Sequence, residues 1–107
     1  MPVLLQVNFV REKAADPSAE TLEWLREFPG LQWKIWIRDD ASKTSGGIYL
    51  FEDRAAAEHR VADVVPRLRA IGATDIETRI FDVDARLTRA TRGPLRAGRR
   101  TPASRTD

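Results

Sequence analysis

The apolar residues of this chain change their spacing several times, and the order of those changes constrains the fold more than any other feature. Two-residue alternation, which is typical of strands, occurs in residues 3–10, 30–36, 46–51 and 75–83. Helical spacing occurs between them, in residues 16–29 and 53–72. The order β-α-β-β-α-β predicts an α+β, ferredoxin-like fold, in which two helices cover one face of a single antiparallel sheet.

Capping residues predict where the two helices begin and end. The first helix is predicted to start with Asp16 as its cap and Pro17 at its first helical position. The second is predicted to start at Asp53 and to end at Gly72. Pro66 lies inside it and has no N–H to donate, so either a kink in the preceding turn or a late start of the helix is expected.

The composition restricts the possible chemistry. A chain of 107 residues corresponds to one domain, and the absence of cysteine excludes disulfides, thiolate catalysis and cysteine-bound metals. A single histidine does not supply the usual ligand set for a transition metal. No segment reads as a signal peptide or approaches the roughly 20 apolar residues of a membrane span, so a soluble, cytoplasmic protein without a membrane partner is predicted.

The basic pI of about 9.5 comes from one end of the chain. Residues 86–107 contain seven arginines and one acidic residue, a formal charge of +6, which leaves −4 on residues 1–85. This end is rich in Arg, Gly, Pro, Ser and Thr and has no apolar periodicity, which favours a solubilising extension over a nucleic-acid-binding segment. We therefore predict a domain over residues 1–95 and a disordered basic tail over residues 96–107.

Two aromatic segments, residues 30–36 and 46–51, flank a polar stretch and predict a β-hairpin. Trp33 and Trp36 are three residues apart and should lie on opposite faces of their strand. The sheet face away from the helices is predicted to carry a set of side chains too aromatic for water and too polar for a plain core: Gln6, Asn8, Lys34, Trp36, Tyr49 and Phe51. A second copy packed on this face would cover it, so a homodimer is predicted.

Four segments carry a resemblance to a known family: Val3-Leu4-Leu5-Gln6-Val7-Asn8-Phe9, Pro29-Gly30-Leu31-Gln32-Trp33-Lys34-Ile35-Trp36, Gly46-Gly47-Ile48-Tyr49-Leu50-Phe51-Glu52-Asp53 and Ile80-Phe81-Asp82-Val83. In this order they resemble the YdhR-type monooxygenases of the dimeric α+β-barrel superfamily, from about residue 2 to Leu95. The resemblance implies a ferredoxin-like homodimer. It also implies grouping with cofactor-independent monooxygenases that use O₂ to oxidise polycyclic phenols or anthrones to quinones.

Such chemistry needs a group that stabilises an oxyanion, a polar group that relays a proton, and aromatic walls that exclude water. By residue type and strand position, the resemblance implies Asn8, Trp36 and Tyr49 as catalytic residues, with Asn8 as the oxyanion partner. It adds a substrate-binding set: Gln6, Trp33, Lys34, Phe51 and Phe81. No metal, flavin or other cofactor is expected.

Two alternatives to the enzyme stay open. The first is a dimeric module that binds small aromatic compounds without turnover. The second is a haem-binding or haem-degrading protein, for which His59 would be the ligand. Helical phase argues against the second, because His59 lies roughly 200° around the helix from Ala57 and should point to solvent. Gly46-Gly47 lacks the lysine and helix of a phosphate loop and is interpreted as closing the hairpin or forming a bulge.

Overall fold

The structure, a computed structural model, describes residues 1–13 and 15–95. Its elements in chain order are β1 (Val3–Val10), α1 (Ala19–Arg26), β2 (Leu31–Asp39), β3 (Thr44–Phe51), α2 (Arg54–Ala70), β4 (Thr74–Asp82) and α3 (Ala85–Ala90). The predicted β-α-β-β-α-β order is confirmed, and α3 adds a short helix after it. The basic end is therefore structured at its start, through α3, whereas the tail predicted over residues 96–107 lies outside the described residues.

The four strands form one antiparallel sheet in the order β2-β3-β1-β4. The two central strands are β1 and β3, which pair along their whole length from Val3 opposite Phe51 to Val10 opposite Thr44. This order is that of the ferredoxin-like fold, so the predicted fold class is confirmed. Strand β2 lies at one edge of the sheet and carries both tryptophans of the hairpin.

The register of the strands corrects the predicted distribution of side chains between the two faces. Val3, Leu5 and Val7 of β1 point to the helices and are buried. Leu5 lies opposite Tyr49, which in turn lies opposite Lys34, and residues in direct register share a face.

Four members of the predicted set therefore lie on the helix face: Lys34, Trp36, Tyr49 and Phe51. Gln6 and Asn8 lie on the other face, opposite Ile48 and Gly46. The prediction that all six share one face is wrong. Alternation within a strand shows which of its residues share a face, but not which residues of the neighbouring strand lie on that same face.

The core lies between the sheet and the helices. Phe51 is fully buried at its centre, and Leu25 and Phe28 pack on it from the α1 side. Helix α1 starts later than predicted, because the Ser18 hydroxyl caps it by accepting a hydrogen bond from the Thr21 N–H at 3.1 Å.

Helix α2 runs without a break from Arg54, with Asp53 as its predicted cap: the carboxylate accepts from the Ala56 N–H at 2.9 Å. The late start considered because of Pro66 is therefore wrong. Val64 before the proline and Leu68 after it are both buried, so the inward stripe continues across it. The chain leaves the helix at Gly72, whose φ of 87° is a conformation that glycine adopts readily.

Candidate functional site

The helix face of the sheet carries a line of side chains in which aromatic rings alternate with cations. Its members are Trp36, Lys34, Tyr49, Arg60, Trp24 and Arg67. We call these six side chains the cation–aromatic row. They come from β2, β3, α1 and α2, so the row spans the sheet and both long helices. Of the three aromatic residues in the row, Trp36 is 49 % exposed and Trp24 is 42 % exposed, whereas Tyr49 is buried.

Lys34 lies at the β2 end of the row. Its Nζ is 3.3 Å from the centre of the Trp36 ring and 4.6 Å from the centre of the Tyr49 ring. Gly47, the partner of Trp36 across the hairpin, makes room for the lysine, since a Cβ there would lie 2.5 Å from Lys34 Cε. The amine is thus held against two ring faces, a geometry that attracts a cation.

Arg60 is the buried centre of the row, with 6 % of its surface exposed. Its Nη1 donates to Asp63 Oδ2 at 2.7 Å, and its Nη2 donates to the Tyr49 hydroxyl oxygen at 3.4 Å. Its guanidinium carbon lies 5.5 Å from the ring centres of both Tyr49 and Trp24. Within the described residues its Nε–H is buried without an acceptor.

The sequence reasoning missed Arg60, although a signal was present. The residue lies three positions after Ala57 and four before Val64, which are both buried on the inward stripe of α2. A charged residue at that phase needs a polar partner in the core, because an unpaired charge is costly to bury. Helical phase should therefore have been applied to the charged residues of α2 as well as to the apolar ones.

In the described part of the chain, one carboxylate pairs with the cations of the row. Asp63 accepts from Arg60 at 2.7 Å and from Arg67 at 3.2 Å. Among the described residues Lys34 has no ion-pair partner. Burial, with the nearby Arg60 charge adding to it, lowers the pKa of Lys34 to about 7. Near neutral pH the amine therefore exists in both its protonated and its neutral form.

Tyr49 forms the floor beneath the amine. The ring of Phe51 is nearly parallel to that of Tyr49, with the ring centres 5.7 Å apart, and Phe51 is fully buried, so it packs against Tyr49 and is not open to a ligand. Burial raises the pKa of Tyr49, and the Arg60 charge acts in the opposite direction. The hydroxyl therefore stays protonated at neutral pH.

The other predicted residues lie across the sheet from the row. Trp33 and Phe81 line a groove of about 310 Å³ together with apolar side chains such as Leu4 and Leu50. The indole N–H of Trp33 donates to the Pro94 carbonyl at 2.8 Å. This groove presents few polar groups, so it suits packing better than catalysis.

Gln6 and Asn8 share that second face and are half-buried. Asn8 Oδ1 is buried and accepts no hydrogen bond from the described residues. Because the sheet separates it from the row, Asn8 does not meet Trp36 or Tyr49. The structure thus divides the eight predicted site residues between the two faces of one sheet.

The structure also tests the predictions made for His59 and for Gly46 and Gly47. His59 is exposed, as helical phase predicted, and its ring packs against Phe28 with the ring centres 4.9 Å apart. Gly46 and Gly47 do not close the hairpin; they lie inside β3, and both are buried.

Neither a metal centre nor a membrane helix emerges from the described part of the chain. Within residues 1–13 and 15–95 no group of three or more His, Cys, Asp or Glu side chains could hold a metal ion. Over the same residues no helix is long and apolar enough to cross a membrane.

A comparison of the chain with models of known protein families found a match. The family model described as "Putative mono-oxygenase ydhR" matches residues 4–94. The chain belongs to the YdhR family. The matched range contains the whole sheet except Val3 and includes all six residues of the cation–aromatic row, so the resemblance seen in the sequence is confirmed. Membership in YdhR supports a general mono-oxygenase role. A comparison with curated proteins found no match.

Proposed function

We propose that this chain is a mono-oxygenase that oxidises a flat phenolic or anthrone-like compound with O₂, without a metal or flavin, at the cation–aromatic row. One observation carries the proposal: the Lys34 amine, which has no carboxylate partner among the described residues, lies between a half-exposed tryptophan, Trp36, and a buried tyrosine, Tyr49. Family membership supports the reaction type, and the row supports the substrate class.

Binding at this site would use the exposed tryptophans and the excess of positive charge. Trp36 and Trp24 at the two sides of the row offer aromatic surface to a flat ring system. Among the described residues Arg60 and Arg67 pair with Asp63 and Lys34 pairs with no carboxylate, so the row favours the phenolate or enolate that forms from a bound aromatic compound. Tyr49 forms the floor of the site.

The reaction needs no external reductant, because the substrate supplies the electrons. Loss of a proton from an anthrone-type carbon gives an enolate, which passes one electron to O₂. The resulting radical and superoxide recombine through a new C–O bond, and protonation gives a hydroperoxide. Cleavage of its O–O bond with loss of the remaining proton on that carbon yields the quinone and water. Lys34 would stabilise the oxyanion, and the aromatic walls would exclude water from the radical pair.

Lys34 takes the role that the sequence assigned to Asn8. Asn8 lies on the opposite face of the sheet, across from Gly46, and does not share a site with Trp36. Lys34 adjoins both Trp36 and Tyr49 and carries the charge that an oxyanion needs.

The test is O₂ uptake by the purified protein with anthrone and a dihydroquinone, with chelator present and no flavin added. Lys34→Met should lower kcat/KM by about 100-fold, the size of effect seen when an oxyanion-stabilising group is lost. Trp36→Ala should raise KM, because it removes aromatic surface from the binding site. Asn8→Ala on the opposite face is the matched control and should retain turnover. Unchanged turnover in Lys34→Met would refute this site, and quenching of tryptophan fluorescence without O₂ uptake would favour the non-catalytic binding module.

We also propose that the chain forms a homodimer through the face that carries Trp33 and Phe81. Helices α1 and α2 cover only the other face, which leaves Ile35 50 % exposed and Phe81 42 % exposed. A second copy packed on this face would remove both from water.

A further inference from the structure

Within residues 1–13 and 15–95 the amine of Lys34 has no carboxylate partner that would hold it in its charged form. Two rings lie against it, Trp36 of its own strand at 3.3 Å and Tyr49 of β3 at 4.6 Å. Tyr49 is protonated and neutral, and Arg60 of α2 adds a positive charge. Asp63 of the row pairs with Arg60 and Arg67. No described group therefore fixes Lys34 in its charged form.

We propose that Lys34 in its neutral form is the base that removes the substrate's proton, and that Arg60 is the positioning residue that keeps the amine unprotonated. The proposal deepens, and rests on, the mono-oxygenase function proposed above. Lys34 would touch the substrate, whereas Arg60 would act through Lys34 and Tyr49 without touching the substrate.

The geometry gives Lys34 a second role after the proton has moved. The amine lone pair takes the proton from the anthrone carbon or phenol oxygen, and the electron pair stays on the substrate. The base then becomes an ammonium beside the enolate that it has just produced. One residue thus supplies both the base and the cation that a cofactor-free oxidation requires, and the same proton can return to the peroxide as it forms.

Burial first, and the Arg60 charge second, lower the pKa of Lys34 to about 7. The two ring faces attract an ammonium and so act in the opposite direction. A base is most effective when its pKa lies near the working pH. Arg60 fits the tuning role because it is buried, is held by Asp63 at 2.7 Å, and cannot lose its own charge.

The direction of the pH dependence separates a base from a fixed cation. If neutral Lys34 is the active form, kcat/KM rises about tenfold per pH unit below pH 7 and levels off above it. If the ammonium is the active form, kcat/KM falls above pH 7. A fall above pH 7 would overturn the proposal, and the wild-type protein alone decides between the two.

A second measurement needs no substrate. Lysine side chains labelled with ¹³C are titrated by NMR in the free protein, with Lys34→Arg used to assign the Lys34 signal. We expect a midpoint near 7 for wild type, a midpoint at least about one pH unit higher in Arg60→Met, and recovery towards the wild-type midpoint in Arg60→Lys. Arg67→Met, which removes the exposed partner of Asp63, is the matched control and should move the midpoint less.

A Lys34 midpoint near the ordinary lysine value, or one that Arg60→Met leaves unchanged, would overturn the role of Arg60. Activity provides a second test of the same role. The kcat/KM of Arg60→Met should be low at pH 7 and return towards the wild-type value at pH 9, whereas a purely structural defect would lower kcat/KM at both pH values. The titration is made without substrate, so its failure is distinguishable from failure of the proposed function, which appears as absent O₂ uptake.

Discussion

Gly46 and Gly47 are neighbours in β3, yet their missing side chains make room for different groups. A Cβ on Gly46 would collide with the backbone carbonyl oxygen of Val7 in the adjacent strand. A Cβ on Gly47 would meet the flexible end of the Lys34 side chain at 2.5 Å. Backbone in a central strand cannot move without disturbing the sheet, whereas a lysine stem can rotate away. Gly46 is therefore needed for the close approach of β1 and β3, whereas Gly47 makes room for the Lys34 side chain.

We expect Gly46→Ala to lower the free energy of unfolding by about 1–3 kcal/mol, the typical cost of overpacking. Gly47→Ala should cost less than about 1 kcal/mol, because the lysine yields. It should also raise the NMR titration midpoint of Lys34, since the displaced amine is better hydrated. Urea denaturation and the lysine titration measure the two effects. Equal losses of stability in the two variants would contradict this division.

Helix α2 delivers Arg60 to the row and contains Pro66 without interruption. Pro66 is exposed and lies 12 positions into the helix, so its missing N–H leaves the Ala62 carbonyl without its helical donor. The helix continues because Val64 and Leu68, on either side of the proline, bury their side chains against the sheet and helix α1. Tertiary packing here overrides the local preference to stop.

Pro66→Ala should therefore stabilise the protein, by about 1–3 kcal/mol, because it restores a helical hydrogen bond and removes a clash. Arg69→Ala, another exposed position of the same helix, is the control and should lie within about 0.5 kcal/mol of wild type. The midpoint of thermal unfolding by circular dichroism reports both. A lower midpoint for Pro66→Ala would mean that the proline is needed for the packing of α2.

Much of the element level could be predicted from the sequence, because spacing and caps are local properties. Strand β1 has its predicted bounds, 3–10, and Asp53 caps α2 as expected. The pairing of faces could not be predicted, because the register between β1 and β3 places Leu5, and not Gln6, opposite Tyr49. Alternation within each strand does not reveal that register. Strand β2 also contains a bulge at Gln32, since Leu31 pairs with Phe51 and Trp33 with Leu50.

The whole molecule is a sheet whose two faces have different surroundings. One face meets the helices and holds the cation–aromatic row. The other carries Trp33, Ile35 and Phe81 over an open apolar groove. The α3 helix and the segment that ends at Leu95 cover only the edge of this second face. This contrast supports a dimer in which the two open faces meet and the two rows stay on the outer sides.

Sedimentation at micromolar concentration should show a dimer for wild type, and Ile35→Lys should shift it to monomer, because a charge would be buried between the copies. Ile71→Lys is the matched control, since Ile71 is 48 % exposed, close to the 50 % of Ile35, but caps α2 away from this face. A monomeric wild type, or a dimer unaffected by Ile35→Lys, would exclude this interface.

The position of Lys34 has a consequence for how the protein avoids aggregation. Strand β2 is an edge of the sheet, and the backbone groups on its outer side could pair with an edge of another molecule. An inward-pointing charge and a bulge both discourage such pairing. Strand β2 has both, with the bulge at Gln32 and the amine at Lys34, two positions later. The amine proposed for catalysis thus also protects the sheet edge, so a substitution such as Lys34→Met removes a safeguard of solubility together with the base.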